Sequence, residues 1–595
     1  MKSKLTVFVS APLLFGFCRL AEAQWQTQSL LIKPGWTAVY LHVDASYQTI
    51  DQLVGADLSN PISEIWQWRP APSTLQFVTT PQSPTMGNSQ WANWARIGLG
   101  INSTFNALVP NAAYLIHSIA ATNYNWQLKG TPVAPSYAWS SSGLNFSDFP
   151  TPGVNPPAFD SFLSLAPALQ SAAEIYQYVG GALGPTNPAR LFAYHTTPVT
   201  RGQAFWMRAG SLFNNYFGPF QVVFAGPSGL SFGDLVSQIG FHLRNVTPTN
   251  VTVSLSLLLS ESPPLGQPAI AGVPPLLVRG ALNTSNLTYA FSALNVGSTQ
   301  SWVLPPQGQT GSDITVVLGL NRYAIANPAG ALLGGVLQFT DSFGFSVVNV
   351  PVSAQAGSDA GLWVGNANVT QVGNYLKIYQ TDTNNQPVLS TNGNYVITGI
   401  NTNLGTVARP FPLRLIVHSN GTNAFLLQRV FYGVGLGSNT VVATTESALD
   451  PTQLGNARRI SATHLPWSSA NVPWAFAGQL VQGGNLTTTA LVAYDDQSTS
   501  PFLHTYHPDH DNLDATFSTQ LPQGSESYQI TRQIRLAISP PGSDFASLTS
   551  AAQSLYGNYS EAITLAGLGG ATRTFNVSGN FALNRISTIS TLTTH

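Results

Sequence analysis

Cysteine is almost missing from this chain: its one cysteine is Cys18, inside an N-terminal apolar stretch. No disulfide framework and no cysteine nucleophile can therefore be built in the body of the protein. Charge is scarce as well, at 8% of residues with a formal net charge of −1. Past residue 23 there are three lysines, Lys33, Lys129 and Lys377, so no basic face is available for nucleic acid. No later segment carries about 18 uninterrupted apolar residues, which argues against a membrane-spanning helix. Reaction motifs are missing too. There is no Gly-x-Ser-x-Gly elbow, no His-Glu-x-x-His, and no phosphate-cradling glycine loop before a helix. A glycosidase carboxylate pair would have to come from 24 scattered acids, none in a recognisable strand-end setting.

What the chain has is turns and short apolar runs. It holds 52 glycines, 41 prolines and 44% hydrophobic residues, the composition of short strands joined by loops. Its 595 residues exceed a single core, and a prior of about 150 residues per domain suggests about four domains. The N-terminus reads as a secretory signal, residues 1–23. Lys2 and Lys4 supply charge, residues 5–17 the apolar core, and Ala21-Glu22-Ala23 a small-x-small cleavage site ahead of Gln24. A lipid-modified Cys18 is disfavoured by the bulky Phe17 before it. The expected location is secreted, periplasmic or cell-surface.

An internal duplication follows. Glu64-Ile65-Trp66-Gln67-Trp68 is matched by Glu174-Ile175-Tyr176-Gln177-Tyr178, and residues 111–130 by residues 202–223. Before each copy, residues 49–55 and 158–164 show helical spacing. Two diverged copies of one small β-rich (α+β) unit, 24–147 and 160–225, are expected on either side of a stiff proline-rich linker at 148–159.

The segment Ile32-Lys33-Pro34-Gly35-Trp36, with the Ile-Trp-x-Trp strand after it, resembles an accessory module of large bacterial exported surface proteins. That module reads lysine–x–glycine–tryptophan–asparagine–leucine, then glycine–x–glycine–tyrosine–tryptophan. Here Thr37 stands for the asparagine, and Asn111-Ala112-Ala113-Tyr114-Leu115 for the second motif. The second copy, Arg201-Gly202-Gln203-Ala204-Phe205-Trp206, lies closer to it. The resemblance covers about residues 28–225 and implies export without any chemistry. The remainder resembles β-rich parts of uncharacterised secreted proteins of environmental bacteria.

Regular strands continue to the end. A hairpin turns at Asp341-Ser342-Phe343-Gly344 and another at Ser419-Asn420-Gly421. A short helix is expected over 544–556, capped by Ser543 or Asp544 and stopped at Gly557, and a last hairpin turns at Leu568-Gly569-Gly570. The fold class expected is mainly β: tandem duplicated modules, then two or three Ig-like β-sandwiches at 226–355, 356–470 and 471–595.

Two features carry candidate chemistry. Residues 504–517, HTYHPDHDNLDATF, concentrate histidine and aspartate in a poorly charged chain. His507, Asp509, Asp511, Asn512 and Asp514 suit a calcium loop, although Asp514 and Gln520 break the EF-hand pattern at its sixth and twelfth positions. His504, His507 and His510 with an aspartate offer a zinc alternative, and Pro508 prevents a helical array of them. The plainer account is a turn whose Asp and Asn side chains cap backbone N–H groups. Trp66, Trp68 and Trp206 offer a glycan-stacking face, or else core filling in units without disulfides. The function expected is a secreted, non-catalytic adhesive or scaffolding protein binding an extracellular glycan or surface protein. The alternatives are a secreted metal-dependent hydrolase acting on polysaccharide and a carbohydrate-binding array.

Overall fold

The computed structural model describes residues 24–69, 78–135, 143–209, 216–226, 229–384, 386, 388–393, 396–436, 439–443, 457–463, 474–478, 480, 483–493, 528–550, 553–567 and 572–591. Strands dominate, as the composition implies, and helices are few and short.

The first unit is two packed sheets. β1 (Gln26–Ile32), β7 (Tyr124–Pro132) and β3 (Val43–Asp44) run in the order β1-β7-β3. β2 (Gly35–Leu41), β6 (Ala112–Ser118), β4 (Ile62–Trp68) and β5 (Trp91–Ala95) run in the order β2-β6-β4-β5, all antiparallel. Leu30, Ile32 and Trp126 from the first sheet meet Val39, Ile65, Trp94 and Tyr114 from the second in one core. Helix α1 (Ile50–Gly55) enters through a reciprocal cap, in which Thr49 accepts from Gln52 N–H and the Gln52 side chain accepts from Thr49 N–H.

The second unit repeats the four-stranded sheet of this plan. β8 (Asn145–Ser147), β11 (Phe205–Arg208), β9 (Glu174–Gln177) and β10 (Ala189–Arg190) pair in the order β8-β11-β9-β10, with α2 (Phe159–Leu163) and α3 (Pro167–Ala172) between the first strand and β9. The registers agree as well. Trp66 pairs with Leu115 in one copy, and Tyr176 with Trp206 in the other. In both copies the aromatic donates to the glutamate two residues earlier: Trp66 Nε1 to Glu64 at 3.0 Å, Tyr176 Oη to Glu174 at 2.5 Å.

The linker expected at 148–159 is not a spacer. β8 precedes it and already belongs to the second sheet, while Asp148 and Thr151 are buried. The sheet β2-β6-β4-β5 is covered on its other face by this second unit. Ala38, Tyr40, Trp66, Trp68, Trp91 and Leu115 pack against Phe146, Tyr178, Ala204 and Trp206. Two-sided burial explains why nearly every residue of β4 and β5 is buried, polar ones included.

A two-sheet sandwich follows. One sheet orders Phe220–Val223, Gln238–Asn245, Asp313–Leu320, Leu276–Asn283 and Thr288–Leu294; the other orders Leu230–Ser231, Val347–Gln355, Leu332–Asp341, Val251–Leu259 and Thr299–Leu304. The hairpin at Asp341 forms as expected, with the Asp341 carboxylate accepting the N–H groups of Phe343, Phe345 and Ser346.

The two sandwiches expected at 356–470 and 471–595 are one body. Gly361–Tyr379 pairs with Ile397–Ser419 on one side and Thr572–Ser587 on the other. The sheet runs on through Ser554–Ala566, Gln529–Ile538 and Asn485–Val492. It closes through Trp474–Phe476, which pairs with Ala424–Leu436, and a bridge from Ala477 to Thr487. Alternation along a strand specifies which face is buried but not which strand lies alongside, so the closure was invisible in sequence. Ile530, Ile534, Leu536, Tyr559, Ile563 and Leu565 point inward, and Gln533, Arg535, Asn558 and Ser560 outward. That polarity is the reverse of a lipid-facing barrel. No helix among the described residues is long and apolar enough to cross a membrane.

The hairpin at Ser419 stands, with Asn420 Oδ1 accepting from Thr422 and Asn423 N–H. The helix expected over 544–556 is only Phe545–Leu548, capped by Asp544. A strand starts at Ser554, so Gly557 lies in a ladder and not at a helix end. The turn expected at 568–570 lies outside the described residues, between strands that do pair.

Candidate functional site: a cleft at the joint of three sheets

His507, Asp509, Asp511, Asn512 and Asp514 all lie outside the described residues. Among the described residues no group of three or more His, Cys, Asp or Glu is placed to hold a metal ion.

Trp66, Trp68 and Trp206 are placed, and they are not a platform for sugars. Their exposures are 5%, 7% and 0%. Trp206 stacks on Phe146 with ring centroids 4.6 Å apart, and Trp68 meets Trp206 edge-on at 5.2 Å. Trp206 Nε1 donates to Tyr178 Oη at 3.2 Å. These rings join the two copies, which is the core-filling role.

The site the structure builds is elsewhere. A cleft of about 570 Å3 opens where β1, β2, residues 153–154, the turn at 200–203 and the sandwich strands around Gln338, Val347 and Asn349 converge. Behind its wall lies a buried polar chain. Gln28, from β1, donates through Nε2 to Tyr40 C=O and accepts through Oε1 from His42 N–H. His42 Nε2 lies 2.9 Å from Asp148 Oδ2, and Gly202 N–H donates to the same oxygen at 2.6 Å. Arg201 Nη1 donates to Thr151 C=O at 3.1 Å and Val347 C=O at 2.7 Å.

The duplication places these groups. Tyr114 pairs with Val39 and Phe205 with Ser147, so β2 and β8 are equivalent strands and Tyr40 occupies the position of Asp148. The two strand ends converge on the turn that opens β11. Tyr40 N–H donates to Gly202 C=O, and Ala204 N–H to Ala38 C=O. Gly202 has φ +82°, and a side chain there would strike the Gln28 amide, so this turn requires glycine.

Burial dominates the electrostatics. It raises the Asp148 carboxyl well above its ordinary range, against the N–H bonds of Gly202 and Phe149 and the charge of Arg201. It lowers His42 well below the usual imidazole value, and Arg201 lowers it further. Whether the imidazole donates or the carboxyl does, one proton lies between them and His42 carries no charge at neutral pH. Burial also draws Arg201 down to about 10, with Asp148 opposing. Arg201 remains charged, deep in the joint yet open to the cleft.

The lining residues include the amides Gln26, Gln28, Gln203, Gln338 and Asn349, the cations Lys33 and Arg201, and no carboxylate. No nucleophile bonds to His42 among the described residues, so the dyad lacks the partner that a hydrolytic triad requires. Sequence reasoning did not single out His42 or Asp148. The nearest signal was the Arg201-Gly202 pair opening the second copy of the aromatic motif.

No family model matches the chain, and no curated protein matches it. Among solved structures, it is similar to a protein of unknown function from Bacteroides ovatus, at 8% identity over 63% of this chain and 96% of that one, with a TM-score of 0.17. So slight a likeness carries no functional argument.

Proposed function

We propose that this chain is an exported multi-domain β protein of the cell surface or extracellular matrix that works by binding, in an adhesive or scaffolding role. One observation carries the reading: the joint between the duplicated units and the sandwich holds a cleft walled by amides, hydroxyls and two cations. The cleft is anchored from behind by the Gln28–His42–Asp148–Gly202 chain. Such a wall presents fixed hydrogen-bond donors on packed strands, which suits recognition of a polar ligand. The signal-like N-terminus and the resemblance to an accessory module of exported surface proteins support the same compartment.

The test is a screen of the 24–595 chain against arrays of extracellular glycans and peptides, alongside a cleft-filling variant, Thr200→Trp. Saturable binding that the variant removes without a change in melting temperature is expected. Chemical turnover of a bound ligand, or binding indifferent to Thr200→Trp, overturns the proposal.

A further inference from the structure

Among the described residues β1 is the edge of its sheet, paired only with β7. In an antiparallel pair both backbone groups of a residue face the same way, and the direction alternates along the strand. Trp25 faces away from β7: its N–H donates to Ser260 Oγ at 2.8 Å, and its C=O accepts from Glu261 N–H at 2.9 Å. Two residues on, Thr27 N–H donates to Glu261 Oε1 at 2.8 Å. The same parity turns the N–H and C=O of Ser29 and Leu31 away from β7. Beyond them, Lys33 N–H is taken by Thr37 Oγ1 at 2.9 Å. Side chains thus close this edge at both ends and leave it open at Ser29 and Leu31, where residues 26–31 line the cleft without interruption.

Sheets ordinarily blunt or cover such an edge, because unpaired backbone groups invite another strand. The charges left over around this gap are one-sided, because Glu261 at its Thr27 end is paired with Lys129. Lys33 has no carboxylate partner among the described residues, and only Nη1 of the Arg201 guanidinium is engaged by protein acceptors there. No tryptophan, tyrosine or phenylalanine among the described residues lines the cleft to stack on a sugar. Open backbone pairs and two cations call for a partner that brings its own backbone and a negative charge.

We propose that the cleft takes an extended acidic peptide segment, which adds to β1 at Ser29 and Leu31 and sets a side-chain carboxylate against Arg201 and Lys33. The inference rests on the binding role proposed above and names its ligand class. Main-chain bonds to the edge hold the segment, and the cations choose its charge.

The experiment uses the 24–595 chain and a blocked, fluorescein-labelled pentapeptide of alternating valine and glutamate, read by fluorescence polarisation. Its lysine counterpart and a backbone N-methylated copy serve as controls. The glutamate peptide is expected to bind saturably, and both controls to fail. Ser29→Pro removes an N–H that the β7 ladder does not use, so it leaves melting unchanged and abolishes binding. Lys33→Gln weakens binding roughly tenfold, the loss of about one charge-assisted contact. The methylated peptide asks the same question without touching the protein, in case Ser29→Pro fails to fold. Equal binding of the lysine or methylated peptide overturns the inference, and so does a concentration-dependent dimer formed without peptide. A glycan whose binding is lost in Thr200→Trp but kept in Ser29→Pro overturns the peptide class and leaves the cleft as a binding site. If no ligand responds to Thr200→Trp, both proposals fall.

Discussion

Trp206→Ala tests whether the two copies fold as one body. Trp206 is fully buried between them, stacked on Phe146, edge-on to Trp68, and bonded to the Tyr178 hydroxyl. A buried tryptophan removes 150–250 Å2 from water, and at about 25 cal/mol per Å2 its truncation costs about 4–6 kcal/mol, close to the range of about 3–5 kcal/mol for Trp→Ala in cores. The Tyr178 hydroxyl loses its partner, which adds about 1 kcal/mol. For a body of about 200 residues each kcal/mol lowers Tm by about 2–4 °C, so a drop of at least about 8 °C in the transition of the duplicated region is expected. Trp206→Phe keeps the stack on Phe146 and loses the Nε1 bond, so it costs about 1–2 kcal/mol. The discriminating assay is native-state hydrogen exchange. Trp206 belongs to the second copy, yet its partner Trp68 sits on β4 of the first, and Trp91 of β5 shares the same cluster. Amides of β2, β4 and β6 should lose protection with those of β9 and β11. Unchanged protection in β2, β4 and β6 would show that the copies are independent domains and refute the shared core.

Further consequences follow from single positions. Gly35 sits at φ +74° with the Gly181 backbone where its Cβ would be, whereas Gly181, at φ +78°, faces open space. Gly35→Ala should therefore cost about 2–3 kcal/mol and Gly181→Ala about 1 kcal/mol, read by urea midpoints. Arg532 and Glu561 pair at 2.7 Å inside the barrel, both fully buried, so Arg532→Met alone should destabilise by about 3–5 kcal/mol. Adding Glu561→Leu should recover most of that in thermal unfolding. His42 has a folded pKa below its unfolded value, so the unfolded chain takes up the proton first and stability falls as pH drops below about 6.5. Asp148 has its pKa raised, so it works in the opposite sense, losing stability as pH rises from about 4. Urea titrations from pH 4 to 8 should show His42→Asn losing the fall below pH 6.5 and Asp148→Asn showing a steeper one.

The duplication was legible because its signal is local. Glu64-Ile65-Trp66-Gln67 and Glu174-Ile175-Tyr176-Gln177 keep the same side chains in the same order, and the structure gives them matching pairings. Hairpins at Asp341 and Ser419 were legible for the same reason, since turn chemistry lies within four residues. The cleft was not. His42, Asp148 and Arg201 are isolated polar residues on three different segments, and only the pairing of β2 with the turn at 202–204 brings them together. The tryptophans were recognised as a group, but a strand pattern does not say whether its second face meets water or another sheet. Here it meets the second copy. Barrel closure was hidden likewise, because it depends on the three-residue strand Trp474–Phe476 joining strands far apart in sequence.

A chain with no cysteine past residue 23 needs another way to hold its parts in register, and the joints supply it. At the first joint, Arg201 donates to the sandwich at Val347 C=O, Asn349 donates to Gln26, and Glu261 takes both Thr27 groups while pairing with Lys129 at 3.2 Å. At the second, Gln238 bonds to Thr549 and Tyr323 to Ser550, while Gly319 leaves just enough room for Phe545 and Thr549. These are mostly buried or half-buried contacts between segments more than a hundred residues apart, so each piece orders the next. The exposed ion pairs among them contribute little by themselves. The packed backbones give the rigidity, and Arg201 in the cleft inherits it. A ligand meeting Arg201 encounters a guanidinium already held by Thr151 and by the sandwich at Val347, so little ordering of that group remains to be done on binding. A separation of the first unit from the sandwich would dismantle the cleft. Glu261→Gln, which loosens that joint at Thr27 without replacing a lining residue, should therefore weaken ligand binding at the cleft while leaving the melting of the barrel unchanged. Undiminished affinity in that variant would mean that the duplicated units' side of the cleft binds the ligand without help from the joint.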